Sequence, residues 1–432
     1  MNISFFYNKY LIFLLAFFSP MIISIGGEIS PSFLFILGTA PLWYKYLNVK
    51  KDRLLQKFIK PFLIILIVQA LWIPFAHTDL FIQIKGILIT LSGLFHFAYY
   101  YLVYKHNPQV IKWGILGTFL SSFIFTNILA EIAGGEFGLW KFQIFPRIIL
   151  GILSLYIWFC HKKWILHIAP FVLIGVGALG LATGARSAGL IPFMTGIIIF
   201  VLQLNKTIKT NQIKKYLITG GIIFYGAYVF IYVPGVINGS ITGGNTHQLK
   251  NIDNPYNPLN LIMMGRTDSV IPFIAFLDKP FTGWGFFTKD PQGKYHRIEN
   301  KLINNERKSD SSSYAQANIP GHSVLGYYAC SYGIIVLISL LVLIGKTWKF
   351  LYYSLLIHDK YLLYRVYCTI SITWNFLFSP IAHFKWLPST MALIVVFSTI
   401  SYKRYQRYRK LTSKKVTLAQ LHISPLDLKT QD

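Results

Sequence analysis

Three residues combine a type and a setting that could act on a phosphorylated, hydroxyl-bearing substrate. Arg186 stands in Thr183-Gly184-Ala185-Arg186-Ser187, at the head of an apolar run. Arg266 stands in Gly265-Arg266-Thr267-Asp268, and His322 in Gly321-His322-Ser323, just ahead of another apolar run. A guanidinium is a planar fork of donors that fits phosphate. An imidazole exchanges a proton near neutral pH, which suits a general base acting on a hydroxyl. Each has a plainer reading as well. An arginine at membrane level is costly unless paired or wetted, so Arg186 is either an anion clamp or an interfacial side chain snorkelling to lipid phosphate. Arg266 is either a clamp or the ion-pair partner of Asp268. His322 is either a base or a helix-start histidine bonded to backbone or lipid. Downstream of Arg266 comes Lys279-Pro280-Phe281-Thr282-Gly283-Trp284-Gly285. Its amides could approach a phosphate, or the glycines could simply turn the chain. Gly333 falls inside the next apolar run, where a small residue favours close helix contact.

These residues need a scaffold, and the rest of the chain supplies one. Residues 234–321 form the one long polar segment, holding Asp253, Asp268, Asp278, Asp290, Glu299, Glu306 and Asp310 with Arg297 and Arg307. The 432-residue chain as a whole is 54% hydrophobic and only 13% charged, with mean hydropathy +0.50. A soluble domain carries roughly 25% charged residues, so an all-α polytopic membrane protein is expected and a large soluble core is not. The formal net charge of +26 fits basic cytoplasmic links better than nucleic-acid binding.

Apolar runs are expected at about Tyr10–Ile25, Ser32–Leu47 (broken by Pro41), Pro61–Phe75, Phe81–Val103, Trp113–Ile132, Phe145–Cys160, Trp164–Leu181, Ala188–Leu204 and Tyr216–Val233 before the polar segment. After it come Ser323–Ile344, Tyr361–Ser379 and Leu387–Tyr402. If the N-terminus is cytoplasmic, the links around Lys45–Lys60, Lys105–Lys112, His161–Lys163, Lys206–Lys215 and Lys346–Lys360, and the tail, fall on one side, and all are basic. Glu28, Asp79, Glu131, Glu136 and the polar segment fall on the other. The segregation predicts about twelve transmembrane helices with both termini inside. Residues 1–233 carry the first nine, 234–321 the large outer loop, 322–402 the last three, and 403–432 a basic cytoplasmic tail. Arg186, His322 and His383 are then all outside.

Other chemistries find little footing. Cys160, Cys330 and Cys368 lack metal or redox spacing and read as packing residues. No His, Asp or Glu cluster has metal-ligand spacing, so no metal and no cofactor is expected. There is no P-loop, dinucleotide fingerprint or nucleophile elbow. The outer carboxylates are too scattered to indicate a paired-carboxylate hydrolase. His96 and His167, inside apolar runs, read as packing contacts, while His383 and Lys385 could add charge near the site. A transporter or flippase should bury ionisable residues along a central path; here Lys85, Arg147 and Arg365 all lie near run ends.

The order of these features resembles the O-antigen ligase and O-antigen polymerase superfamily of bacterial surface-polysaccharide enzymes. The resemblance spans about Gly180 to Ile344 at motif level. Its ligases carry a His-[Asn/Ser/Gln]-x9-Gly pattern, which His322, Ser323 and Gly333 match; Val336 departs from the Gly, Thr or Tyr preferred three residues later. An Arg-x15-Gly spacing found in polymerases is not met, since Leu202 and Thr282 occupy those positions. The resemblance implies a multi-pass protein of the bacterial inner membrane with its active site on the periplasmic face. It implies inverting, metal-independent glycosyl transfer from an undecaprenyl-diphosphate-linked glycan. The acceptor would be a glycolipid such as lipid A-core (a ligase, in lipopolysaccharide biosynthesis) or a growing glycan (a polymerase). A protein O-oligosaccharyltransferase belongs to the same superfamily. Arg186 and Arg266 would bind the diphosphate and stabilise it as it leaves, with Ser187, Lys279, Gly283, Trp284, Gly285 and Ser323 lining the substrate. His322 would orient or deprotonate the acceptor hydroxyl. The partners would be the lipid-linked glycan, its acceptor and membrane lipids, with no nucleic acid.

Overall fold

The structure, a computed structural model, describes residues 3–21, 23–24, 28–47, 49–75, 78–125, 139–204, 219, 221–222, 225–226, 228–240, 249, 254–257, 260, 266–302, 317–355 and 359–413. The side chains of Arg186 and His383 are outside that description, as are Asp253, Gly265, Glu306, Arg307, Asp310 and most of the expected ninth run.

The described chain is helical, apart from one two-residue strand pair. In order come α1 (Lys9–Phe17), β1 (Ile23–Ser24), β2 (Glu28–Ile29), α2 (Pro31–Gly38), α3 (Ala40–Tyr46), α4 (Arg53–Trp72), α5 (Leu80–His106) and α6 (Ile111–Ile124). Then come α7 (Phe145–Phe159, preceded by a π-turn at Trp140–Ile144), α8 (Lys163–Ala182), α9 (Arg186–Leu204) and the short α10 (Val233–Ile237). The remainder are α11 (Thr267–Asp278), α12 (Lys294–Leu302), α13 (Val324–Tyr332), α14 (Ile334–Leu355), α15 (Leu362–Phe378) and α16 (Leu387–Ser413). β1 pairs antiparallel with β2, Ile23 opposite Ile29.

Among the described residues, 6 helices are long and apolar enough to cross a membrane: Arg53–Phe75, Leu80–His106, Trp140–Phe159, Lys163–Ala182, Ser187–Leu204 and Ile334–Tyr352. Several expected runs are shorter or divided. The first ends at Phe17, giving a 9-residue helix of only about 14 Å. The second is two helices meeting at Thr39, with Pro41 tolerated in the first turn of α3 rather than breaking it. The third starts earlier, at Arg53, because Asp52 caps it: its Oδ1 accepts from the amides of Leu54 and Leu55. That carboxylate also takes the Lys105 ammonium at 2.7 Å, tying α4 to the end of α5.

The run expected at Ser323–Ile344 is not one helix. It breaks at Gly333, which adopts φ 79° and ψ −167°, a backbone region open essentially to glycine alone. Gly333 therefore ends one helix and begins another, instead of easing a helix–helix contact. α8 and α9 do show that close contact. A Cβ on Gly180 would stand 2.9 Å from the Gly189 Cα, and one on Gly177 would meet the Phe193 backbone, so small residues let the two backbones approach.

The main core is aromatic and aliphatic and runs from Phe6 through α4, α5, α7, α13, α15 and α16. Cys160, Cys330 and Cys368 are free and buried, as packing residues should be. His96 is buried too, its Nδ1 on the Ser92 carbonyl at 2.8 Å. His167 departs from expectation: it is exposed, bonded only to the Lys163 carbonyl of its own helix.

Candidate functional site

The site is assembled on the first turn of α11. Arg266 occupies the N-cap position, and the Ser269 amide donates to its carbonyl at 2.9 Å. Asp268 sits in that first turn, where a carboxylate is favoured by the helix dipole. The apolar face of the helix, Ile271, Ala275 and Phe276, packs with Ala329 and Cys330 of α13. Two bonds then fasten the segment entering α13 to this turn. The His322 amide donates to the Asp268 carbonyl at 3.0 Å, and the Ser269 hydroxyl donates to the His322 carbonyl at 3.0 Å. The His322 side chain is thereby held against Asp268, Nδ1 lying 3.3 Å from Oδ2. Both side chains are about half exposed, at 51% and 46%, so the pair faces an open surface with the imidazole Nε2 unclaimed by the pair.

Arg266 sits beside the same pair. Its guanidinium carbon lies 5.7 Å from the Trp374 ring centroid and 6.0 Å from that of Phe378. The two rings, one turn apart at the end of α15, are 4.6 Å from each other. Burial against this platform pulls the Arg266 pKa down, and the charge of Asp268 opposes the shift. Arginine stays protonated through such a shift, so the platform holds a partly desolvated, fixed cation. Desolvation of this kind strengthens its attraction for an anion.

Two more carboxyls, Asp278 and Glu299, lie along the α11–α12 contact. Asp278 at the end of α11 takes Lys294 Nζ at 2.6 Å and the Tyr295 hydroxyl at 2.6 Å from the start of α12. Those two bonds hold the Asp278 carboxyl below its usual range. Glu299, further along α12, meets Asp268 at the beginning of α11. The contacts run in opposite order along the two helices, so the helices are antiparallel. Burial first, then the hydrogen bond and charge of Asp268, push Glu299 up to about 8.

The position of Arg186 follows from two bonds. Trp140 Nε1 donates to Thr183 Oγ1 at 2.8 Å, tying the start of the α7 segment to the α8–α9 turn. The Tyr156 hydroxyl donates to the Lys360 carbonyl at 2.7 Å, tying the far end of α7 to the start of α15. The α8–α9 turn and the Trp374–Phe378 end of α15 are therefore at the same end of the bundle, and α9 packs along α15. The backbone of Arg186 thus lies at the site's end of the bundle. Convergence of its guanidinium with that of Arg266 lies outside the described residues. Ser187, the second residue of α9, is half-buried.

Other expected site residues are placed differently. Ser323 is fully buried; its hydroxyl accepts from the Gly326 amide at 2.9 Å and donates to the Phe376 carbonyl at 3.3 Å. It caps α13 and ties it to α15 rather than meeting substrate. Lys279 lies at the opposite end of α11 from Arg266, roughly 20 Å along the axis, with its ammonium 3.9 Å from the Trp284 ring centroid. The amides of Gly283, Trp284 and Gly285 are all spent within the protein. They donate to the carbonyls of Lys279 (2.9 Å), Cys330 (2.8 Å) and Ser331 (2.9 Å). Ile334 in turn donates to Pro280 at 2.8 Å. The turn thus satisfies carbonyls that α13 leaves open where it breaks at Gly333, and its amides are not offered to a phosphate. Both glycines are needed for this close approach: a Cβ on Gly283, at φ 70°, would lie 2.5 Å from the Ser331 carbonyl, and one on Gly333 would lie 2.3 Å from the Phe281 oxygen.

Asp268 as the partner of His322, Glu299 behind it, and the Trp374–Phe378 platform were not singled out as site residues by sequence reasoning. An aromatic pair at i and i+4 at the end of an apolar run was a usable signal for the platform. Nothing in the sequence pairs Glu299 with Asp268, which only the antiparallel packing of α11 and α12 brings together. Among the described residues no group of three His, Cys, Asp or Glu side chains could hold a metal. The chain matches no protein-family profile and no curated protein.

Proposed function

We propose that this protein is a membrane glycosyltransferase of the O-antigen ligase type, moving a glycan from undecaprenyl diphosphate to an acceptor hydroxyl at the periplasmic face of the inner membrane. The reading includes a twelve-span topology with both termini cytoplasmic. One observation supports it: a partly desolvated arginine and an aspartate-backed histidine meet at the first turn of α11. In the proposed step the acceptor oxygen attacks the anomeric carbon and the bond to the diphosphate breaks with inversion. The electron pair leaves on the diphosphate, beside Arg266 and Arg186. The hydroxyl proton passes to Nε2 of His322, whose Nδ1 is turned to Asp268. Electrostatic stabilisation of the leaving anion does most to lower the barrier in such a step, and a base contributes typically 10²–10⁴-fold.

Deleting the gene and resolving surface polysaccharide on a gel tests the reading. Loss of capped core is expected for a ligase. A single repeat on the core would make it a polymerase, extending the glycan on its lipid carrier. A full-length ladder would overturn both.

A further inference from the structure

Two large apolar side chains of the polar segment stand in the open. Leu277, in the last turn of α11, is 72% exposed, and Phe281, four residues on, is 79% exposed. Single exposed apolar residues are ordinary on a protein surface, but these two lie beside a second exposed apolar face. The Ile334 amide donates to the Pro280 carbonyl at 2.8 Å, which sets Phe281 next to the first residue of α14. From there Ile335, Ile338, Leu341 and Val342 are all exposed, at the spacing of one face of a helix.

α14 supplies the level. Ile334–Tyr352, 19 residues, is one of the helices long and apolar enough to cross a membrane. At its usual rise this stretch extends roughly 28 Å, against a hydrocarbon core of about 30 Å. A bilayer that covers it begins at Ile334 and so reaches Phe281 as well. The flanking groups suit that boundary. The Lys279 ammonium lies 3.9 Å from the Trp284 ring centroid, and Asp278 is paired with Lys294 at 2.6 Å. Tryptophan rings and lysines collect at headgroup level, where an ammonium can turn to lipid phosphate. We infer that Leu277 and Phe281 are seated in the leaflet around the start of α14, so that lipid holds the far end of α11 while Trp374 and Phe378 hold its first turn. α11 has 12 residues, roughly 18 Å of helix, and the site stands within that distance of the lipid-seated anchor. Continuity with the α14 face favours lipid over a protein partner, which would have to cover that face too. The inference rests on the membrane-spanning part of the reading above.

Spin labels at single introduced cysteines test it. The variants are Leu277→Cys, Phe281→Cys, Ile338→Cys and Lys301→Cys. Cys160, Cys330 and Cys368 are buried, and wild type treated with the label gives the background. The full-length protein is reconstituted into vesicles of phosphatidylethanolamine and phosphatidylglycerol. Collisions of each nitroxide are measured with oxygen, which concentrates in lipid, and with a nickel chelate, which stays in water. Ile338→Cys, on the exposed face of α14, is the lipid reference, and Lys301→Cys, exposed on α12, is the water reference. The Leu277→Cys and Phe281→Cys labels should follow the lipid reference, at a depth of roughly 5–10 Å into the headgroup–acyl boundary. A melting curve selects folded variants, and either of the two positions decides. Labels there that follow the water reference overturn the inference alone. So do labels shielded from both reagents, which would mean a protein partner. An Ile338→Cys label open to nickel overturns the membrane-spanning reading, and the inference with it.

Discussion

At its first turn α11 presents charge to an open surface, and past its last turn the backbone is closed by glycines and hydrogen bonds. The first turn holds Arg266, Asp268 and the His322 ring, the last two half-exposed. Beyond the other end, the Gly283–Gly285 turn and the break at Gly333 interlock with every amide engaged. Both ends carry residues that sequence motifs single out, yet the glycine turn at the far end has its backbone amides engaged within the protein. The difference separates motif residues whose side chains meet an open surface from motif residues whose backbone locks neighbouring segments together. Ala329 and Cys330, next to the interlock, pack on the same helix that carries Asp268 and Arg266 into position.

Substitutions at the two ends should therefore fail in different ways. The largest effect is expected at the first turn. Arg266→Ala should cost roughly 10²–10³-fold in transfer rate, the scale of removing one anion-stabilising donor, while the protein still inserts and accumulates. Arg266→Lys should recover only part, because it keeps the charge and loses the planar fork that also stacks on Trp374. Transfer assays beside quantitative immunoblots check both.

Gly333→Ala should do the reverse. Forcing a side chain into φ 79° costs on the order of 1–3 kcal/mol, and the added Cβ collides with the Phe281 oxygen. A lower unfolding temperature and reduced accumulation are expected, with the folded fraction still active; an unchanged melting curve would break the contrast.

A smaller effect should follow pH. The folded state raises the Glu299 pKa from 4.5 to about 8, so it binds that proton more tightly than the unfolded chain does. The associated stability is fully present below about pH 4.5 and is lost as pH rises through about 8. Thermal unfolding of wild type against Glu299→Gln between pH 6 and pH 9 should show a decline only in wild type. The smallest effect belongs to Lys279→Met. Its cation–π contact with Trp284 is worth about 0.5–1 kcal/mol at an exposed site. A slightly lower melting temperature with transfer within about twofold is the expected outcome, and a large loss of transfer would return Lys279 to the site.

Much of this scaffold was legible in the sequence. The apolar runs marked α4, α5, α7, α8 and α9, helices long and apolar enough to cross a membrane, because burial in lipid imposes length and composition together. Arg266 and His322 could be singled out from the sequence by residue type and setting alone, an anion-binding fork in the polar segment and a titratable ring at the head of an apolar run. The break at Gly333 was not, since an apolar run looks the same with or without a kink, and only the docking of Pro280–Gly285 shows why glycine is needed there. The same holds for Gly283 and Gly285, whose composition suits an anion cradle and a tight turn equally. Ser323 next to His322 looked available for substrate until the fold turned it inward to cap α13. Asp268 was legible as a neighbour of Arg266, but its service to His322 depends on a long-range return of the chain.

The central claim is that the first turn of α11 is where a glycan changes carriers, and His322→Ala tests it most directly. In the reconstituted system, binding of the lipid-linked donor and release of undecaprenyl diphosphate are measured on the same preparation. Donor affinity within about threefold of wild type, with transfer reduced roughly 10²-fold or more, is the predicted result. Transfer at the wild-type rate by His322→Ala would contradict the account.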